Sequence, residues 1–339
     1  MLILFSGNTA SADYEIYKRE YNLIGNCFND SSFEIGYKIL CKMGNILDLN
    51  YNTFLIIYFS IGIVLIISTV VKFTNNFAFV TCLYAIYPFL YDVVQVRNFM
   101  AMSIIIYSIR YLIGDKKNDI YKYVLGVVIA MTFHSISIIY ILFIFIKKID
   151  NKRKLFKNVI VYSVIFLLLK PLIIKLLIIL FPKKAVLYYM SEGTRLDLIT
   201  GYVIYVILNF LLVKYSYDKV NLLKYNDNYL SNKDRYDKYI KFSDLALKIN
   251  IILIGSIILV MININFLRIH RNILVLNYIL YSIPIAENKY MNKKDIMLNK
   301  IIVVYFVICI SCVFLFNSKY FNAVVYPIFT QNIILKKFN

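Results

Sequence analysis

The sequence has little charge and no tryptophan. Only 17% of its 339 residues are charged, whereas 60% are hydrophobic, and the mean hydropathy is +0.68. A soluble domain of this length would need far more polar surface, so the composition excludes one. In the absence of tryptophan, the 31 tyrosines and 25 phenylalanines must supply the aromatic belt of a membrane interface.

The motifs of soluble enzymes are absent as well. The chain has no P-loop and no GxGxxG, GxSxG, HExxH or DxD motif, so no nucleotide, cofactor or resident metal is expected. Cys309 and Cys312 lie in an apolar run, which favours helix packing over metal or redox chemistry. Cys27 and Cys41 share one loop, and the sequence leaves open whether they form a disulfide.

Acidic residues are half as numerous as basic ones, 19 against 38, which gives a net charge of +19. In a soluble protein such an excess would indicate nucleic acid. Here the lysines and arginines lie in short loops between apolar runs, where they orient the chain in a membrane and contact anionic lipid. We therefore expect membrane lipid as a partner and no nucleic acid.

Long apolar runs are what the sequence does have. Phe54–Val71 carries no charge over 18 residues and can cross a hydrocarbon core of about 30 Å as one helix. The pattern predicts an all-α, polytopic integral membrane protein with about 9–11 transmembrane or re-entrant helices, forming a single transmembrane helical domain over residues 1–339. The predicted spans are 53–71, 77–91, 95–113, 121–146, 156–181, 197–215, 244–262, 269–285 and 297–316.

The basic loops predict how these spans are oriented. Loops 114–122 and 147–157 are both rich in lysine and should both be cytoplasmic, so the run 121–146 should be a hairpin with His134 and Ser135 near its outer tip. The run 156–181 is then a single span, kinked at Pro171. Segment 8–50 is placed outside and 216–243 is a basic cytoplasmic loop. Because only Met1–Phe5 precede the outer segment, we expect an earlier span to be missing.

Three ionisable residues on the predicted outer side are candidates for catalysis. Arg97 begins a span, where a cation opposes the helix dipole; it suits bidentate binding of phosphate or carboxylate, or else contacts lipid headgroups or pairs with Asp92. His134 is a candidate general base, although a lone histidine on an apolar face is often only a packing residue. Glu34 is a second candidate base, or simply an acid near a helix start.

Five further residues are candidates for substrate binding. Arg195 is either a second anion ligand or the partner of Glu192 or Asp197. The others share the outer side: Arg268 and Arg271, which flank His270; Asp13, beside Glu15; and Gln95, two residues before Arg97.

Five short elements follow one another along residues 7–285: Gly7 with Asp13-Tyr-Glu-Ile-Tyr17, Glu34-Ile-Gly-Tyr37, Arg97-Asn-Phe-Met-Ala101, Phe133-His-Ser135 and the outer loop Arg268–Arg271. Taken in order, these elements resemble the EpsG family of bacterial exopolysaccharide membrane proteins, related to Wzy-type polysaccharide polymerases. Two features depart from the family pattern. Five residues separate Gly7 from Asp13, where the family has them adjacent, and Asn98 stands where the family often has glutamine.

The resemblance implies an all-helical polymerase in the bacterial cytoplasmic membrane. Such an enzyme joins polyprenyl-diphosphate-linked oligosaccharide repeat units at the outer face, in exopolysaccharide, capsule or O-antigen synthesis. Arg97 and Arg195 would hold the diphosphate, and Glu34 or His134 would act as base, with arginine in place of a metal cation or with an external divalent ion. A flippase and a chain-length regulator would be partners. The alternatives are a flippase of lipid-linked sugar and a membrane acyltransferase that modifies polysaccharide.

Overall fold

The computed structural model consists of helices throughout the part of the chain that it describes. That part comprises residues 1–114, 116, 118–180, 194–225, 230–287, 293–316 and 320–337. We number its α-helices in chain order: α1 Leu2–Ser6, α2 Tyr14–Asn26, α3 Ile35–Ile46, α4 Tyr51–Phe73, α5 Phe77–Ile86, α6 Phe89–Val94, α7 Val96–Ile113, α8 Asp119–Met131, α9 Lys152–Leu180, α10 Leu196–Asn221, α11 Lys233–Ile254, α12 Ser256–Ile262, α13 Leu267–Arg271, α14 Leu274–Glu287, α15 Lys293–Phe314 and α16 Tyr326–Thr330. Shorter turns of other helix types connect them, and one long 3₁₀ helix spans Ser135–Lys148.

Six segments of the described chain are long and apolar enough to cross a membrane. This confirms the prediction of an all-α polytopic membrane protein. Apolar side chains on α4 such as Val64 and Val71 are exposed, as expected for a helix that faces lipid. The six segments are Tyr51–Phe73, Val96–Ile113, Lys152–Leu172, Leu196–Tyr225, Leu230–Ile262 and Lys294–Phe314.

Two predicted spans are interrupted. The run 77–91 divides into α5 and α6 at Tyr87 and Pro88, because proline has no amide hydrogen to continue a helix. The run 269–285 divides at Asn272 and Ile273, and only α14 continues beyond the break. Its side chains are buried from Leu274 to Ile285, so protein surrounds this helix of about 21 Å, which is shorter than a hydrocarbon core.

The predicted hairpin at 121–146 is present. Helix α8 ends at Met131, and the 3₁₀ helix begins at Ser135. The hydroxyl of Tyr123 donates a 2.6 Å hydrogen bond to the carbonyl of Tyr140, whereas 17 residues of one straight helix would separate these residues by about 25 Å. The chain therefore folds back on itself, with residues 132–134 at its tip.

Helix α9 is continuous through Pro171 from Lys152 to Leu180, as the prediction of one span requires.

The prediction that 216–243 is a loop is wrong at both ends of this segment. α10 extends to Asn221 and α11 begins at Lys233, so both ends of this segment are helical. The sequence missed this because charged, tyrosine-rich helix ends resemble a polar loop. Its cytoplasmic location stays a prediction.

The chain forms two compact units, Met1–Ile141 with Leu274–Asn339, and Leu142–Ile273. In the first unit, α7 packs against α4 and α8. The approach of α8 to α7 is close at Gly126, where an added Cβ would lie 2.6 Å from the Cβ of Ser108. In the second unit, α10 and α11 pack together. The expectation of a single domain stays a prediction.

Within the first unit, the two ends of the described chain meet. The amide of Ile333 donates to the carbonyl of Gly7 at 2.8 Å, and the side chain of Asn332, which is fully buried, donates to the carbonyl of Ile3 at 3.0 Å. The amide of Ala12 likewise donates a hydrogen bond of 3.2 Å to the carbonyl of Ala323. The segment before α2 and the segment after α15 therefore lie next to each other. The side of the membrane on which they lie stays a prediction.

Candidate functional site

Three sequence motifs meet around the carboxylate of Glu34, in the first unit. Glu34 precedes the first residue of α3, Arg97 is the second residue of α7, and His134 lies at the tip of the α8 hairpin. Glu34 Oε2 forms an ion pair with Arg97 Nη1, and Oε1 lies 3.5 Å from His134 Nδ1. Oε1 also accepts a hydrogen bond of 3.2 Å from the amide of Ser135. The three candidates for catalysis thus form one cluster.

The start of α3 is fixed against the hairpin tip by its backbone. The amide of Gly36 donates a 2.7 Å hydrogen bond to the carbonyl of Thr132. A Cβ on Gly36 would lie 2.9 Å from that carbonyl oxygen and closer still to Thr132 Oγ1. Glycine is therefore needed for this approach, which places Glu34 beside His134.

The loop before α3 is held by Ser31. Its hydroxyl donates a 2.6 Å hydrogen bond to Glu20 Oε2 on α2 and accepts one of 3.2 Å from the amide of Phe33. The carbonyl of Ser31 accepts a hydrogen bond of 3.3 Å from Lys38 Nζ. These contacts set the positions of Phe33 and Glu34 relative to α2.

Aromatic rings form the floor of the cluster. The guanidinium carbon of Arg97 lies 3.9 Å from the ring centre of Phe33 and 5.7 Å from that of Tyr17. Both rings pack against Tyr37, which is fully buried. The side chains of Arg97, Glu34 and His134 keep 22%, 21% and 16% exposure, so the cluster is partly exposed above a buried aromatic floor.

The surroundings of Glu34 keep it ionised. Burial by itself would raise the pKa of its carboxyl group, but the His134 side chain and the positive charge of Arg97 outweigh that and lower the pKa to about 2. Glu34 is therefore a carboxylate at every physiological pH. Such a group stabilises cations and orients hydrogen-bond donors well, but it is a poor proton acceptor.

The geometry favours one arrangement of His134. Its Nδ1 is buried beside the Glu34 carboxylate, so the tautomer with a proton on Nδ1 is favoured and Nε2 carries the lone pair. A histidine oriented by a carboxylate in this way is suited to accept a proton from a hydroxyl group.

Asp13 and Gln95 flank the cluster along the chain, and both are half-buried. Asp13 precedes α2 by one residue, and its carbonyl accepts a 3.0 Å hydrogen bond from the amide of Tyr17. Gln95 occupies the break between α6 and α7, two residues before Arg97. Their predicted roles in substrate binding stay predictions.

Arg195 belongs to the second unit. It pairs with Asp197 through two contacts of 2.7 and 3.1 Å, and its side chain is 78% exposed. This pairing is one of the alternatives that the sequence left open. Glu192, the other partner considered, lies outside the described residues. A role of Arg195 in binding a diphosphate stays a prediction.

Arg268 and Arg271 are also in the second unit, on the short helix α13. Arg268 donates to the carbonyl and to the side-chain oxygen of Asn265, at 3.0 and 3.1 Å, whereas Arg271 is buried. Between them His270 is buried, with its Nδ1 at 2.9 Å from the hydroxyl of Tyr205. Substrate binding by the two arginines stays a prediction.

Sequence reasoning missed the contacts of Tyr17 and Phe33 with Arg97, although Tyr17 ends one quoted motif and Phe33 directly precedes another. Aromatic residues are so frequent here that neither attracts notice. The cysteine question is answered: Cys27, Cys41, Cys309 and Cys312 are all free thiols.

Comparison with known proteins gives one match. The family model described as EpsG family matches residues 1–328 of the chain. No curated protein and no solved structure matches it.

Proposed function

The chain belongs to the EpsG family, and from that membership together with the site around Glu34 we propose that it is a Wzy-type polysaccharide polymerase. Family membership supports a membrane protein of polysaccharide biosynthesis in the general sense. The proposed reaction joins polyprenyl-diphosphate-linked oligosaccharide repeat units at the outer face of the bacterial cytoplasmic membrane. A flippase that delivers the repeat units and a chain-length regulator are proposed partners.

The observation that carries the proposal is that the carboxylate of Glu34 lies beside both a cation and a histidine. Glu34 contacts Arg97 Nη1 with one oxygen and lies 3.5 Å from His134 Nδ1 with the other. Glycosyl transfer from a diphosphate carrier needs a cation for the leaving group and a base for the acceptor hydroxyl. The cluster offers these two groups next to each other.

In the proposed reaction, His134 Nε2 takes the proton from the acceptor hydroxyl. The hydroxyl oxygen bonds to the anomeric carbon of the growing glycan, and the bond from that carbon to the carrier breaks. The electron pair of the broken bond leaves with the polyprenyl diphosphate, whose increased negative charge Arg97 stabilises. The low pKa of Glu34 supports a role in orienting His134 and Arg97, and His134 is the base in this proposal.

The proposal is tested by replacing Arg97 with alanine in the producing bacterium and separating its surface glycan on a gel. We expect the ladder of long chains to collapse to single repeats, because repeats are still delivered but no longer joined. Arg110 is the matched control. It lies on the same helix α7, stacks on Tyr107 and bonds to Ser68 and Thr69, so Arg110→Ala should keep the ladder.

Other outcomes would assign other functions. Loss of a flippase would leave no exported glycan, and loss of an acyltransferase would leave long chains without their acyl groups. A ladder that stays unchanged when the whole gene is deleted would contradict the polymerase proposal. The amount of inserted protein, measured on the same membranes, separates a catalytic defect from loss of the protein.

A further inference from the structure

Arg97 is held on three sides. Its Nη1 is paired with Glu34, its Nε lies 3.4 Å from the hydroxyl of Tyr17, and one face of the guanidinium lies 3.9 Å above the ring of Phe33. Tyr17 is itself fixed, since it is only 7% exposed and its ring packs against Phe33 and Tyr37 at centroid distances of 5.5 and 5.8 Å.

The third nitrogen of the Arg97 guanidinium, Nη2, differs from the other two. Among the residues that the structure describes, Nη2 of Arg97 has no hydrogen-bond partner, and the side chain is 22% exposed. The bidentate fork expected from the sequence needs two adjacent nitrogens. In either fork one nitrogen already has a protein contact, Nη1 with Glu34 or Nε with Tyr17, and the nitrogen that both forks share is Nη2.

We propose that Tyr17 and Phe33 are positioning residues that direct Arg97 Nη2 toward a single oxygen of the substrate diphosphate. This inference rests on the proposed function, which makes the anion a diphosphate. Stacking on Phe33 sets the plane of the guanidinium, and the contact with Tyr17 sets its rotation within that plane. Arg97 then makes one contact of fixed direction with the leaving group.

A binding measurement tests this directly. The protein is placed in nanodiscs, and the dissociation constant of farnesyl diphosphate is measured as the probe. Tyr17→Phe keeps the ring and removes the hydroxyl, and we expect binding about fivefold weaker. The matched control is Tyr14→Phe on the same helix, whose buried hydroxyl bonds to Asn52 Oδ1 at 2.8 Å; it should change binding less than about twofold.

Phe33→Leu tests the stacking of Arg97 on the ring of Phe33, and we expect it to weaken binding of the probe about as much as Tyr17→Phe does. Its control is Phe54→Leu, because Phe54 is buried in the same group of rings and packs against Tyr21, Tyr37 and Tyr58. Phe54→Leu should leave the dissociation constant within about twofold of wild type.

A double-mutant cycle separates positioning from general damage. In an Arg97→Lys background there is no guanidinium to orient, so Tyr17→Phe and Phe33→Leu should each change binding by less than about twofold. Equal effects in both backgrounds, or equal effects of Tyr17→Phe and Tyr14→Phe, would overturn the inference. A wild-type protein that does not bind the probe would instead contradict the proposed diphosphate site, and the inference with it.

Discussion

At the scale of single residues, Glu34 links groups that are far apart in the chain. It lies 63 positions before Arg97, with which it forms an ion pair. It lies 101 positions before Ser135, whose amide donates a hydrogen bond to it. The sequence could name Glu34, Arg97 and His134 as candidates because each is an ionisable residue beside an apolar run. It could not predict that the Glu34 carboxylate would contact both others, since that depends on the tertiary approach of three helices.

The same contacts support the proposal that His134, rather than Glu34, is the base. From sequence alone, Glu34 and His134 are equivalent choices. In the folded chain the His134 side chain and the charge of Arg97 together outweigh burial and lower the pKa of Glu34, whereas His134 turns only its Nδ1 toward Glu34. Local sequence carries no sign of this difference, because the contacts of Glu34 with Arg97 and with His134 both depend on the tertiary structure.

The first prediction concerns pH and Glu34. Folding lowers its pKa from 4.5 to about 2, so the unfolded chain binds this proton more tightly than the folded protein does. The carboxylate therefore contributes stability that is fully present above pH 4.5 and is lost as the pH falls toward 2. Glu34→Gln should remove this part of the acid sensitivity and lower stability at pH 7.

Thermal unfolding in nanodiscs between pH 2 and pH 7 measures this effect. Glu15→Gln is the control, because Glu15 is an exposed carboxylate on α2. The account is contradicted if wild type and Glu34→Gln lose stability in parallel over this range.

At the scale of elements, the α8 hairpin shows what a charge pattern can predict. Two basic loops on either side of one apolar run require that the run reverse direction, and the bond from Tyr123 to Tyr140 shows that it does. The breaks within 77–91 and 269–285 were not predicted. Hydropathy averages over a window, and short polar or proline-containing interruptions disappear in it.

The second prediction concerns the junction of α3 with the hairpin. Gly36→Ala would force a Cβ against Thr132, at 2.9 Å from its carbonyl oxygen. The start of α3 must then move away from the tip, which separates Glu34 from His134, and we expect polymerising activity to fall at least about tenfold, since small displacements in a catalytic site cost that much.

Gly201→Ala is the matched control for this substitution. Gly201 is also in a helix, and an added Cβ there meets no atom within 4 Å. Alanine stabilises a helix by about 1 kcal/mol relative to glycine, so Gly201→Ala should keep the activity and the stability of the protein. Activity of Gly36→Ala equal to that of Gly201→Ala would show that the junction does not position the site.

At the scale of the whole molecule, the topology predicted from charge places the segment before α2 and the segment after α15 on the same side of the membrane. In the structure these two segments meet, since the amide of Ile333 donates a hydrogen bond to the carbonyl of Gly7. The sequence placed them together because successive spans and basic loops alternate consistently. It could not predict that they would bond, because single polar side chains such as Asn332 carry no pairing signal.

The third prediction is that Ser32 and Lys336 face the outside and Lys233 faces the cytoplasm. All three are exposed. In a cysteine-free background, single cysteines at positions 32 and 336 should react in intact cells with a maleimide that does not cross membranes. A cysteine at 233 should react only after the membrane is opened. Labelling of position 233 in intact cells, or protection of 336, would contradict this topology.

The most direct test of the central claim uses purified protein and lipid-linked repeat units reconstituted in vesicles, with chain length read on a gel. The account predicts that wild type converts single repeats into a ladder and releases one polyprenyl diphosphate for each bond formed. Arg97→Ala and His134→Ala should form no chains, although each inserts normally. Failure of wild type to lengthen the repeats, or ladders of wild-type length from both variants, would contradict a polymerase whose site lies around Glu34.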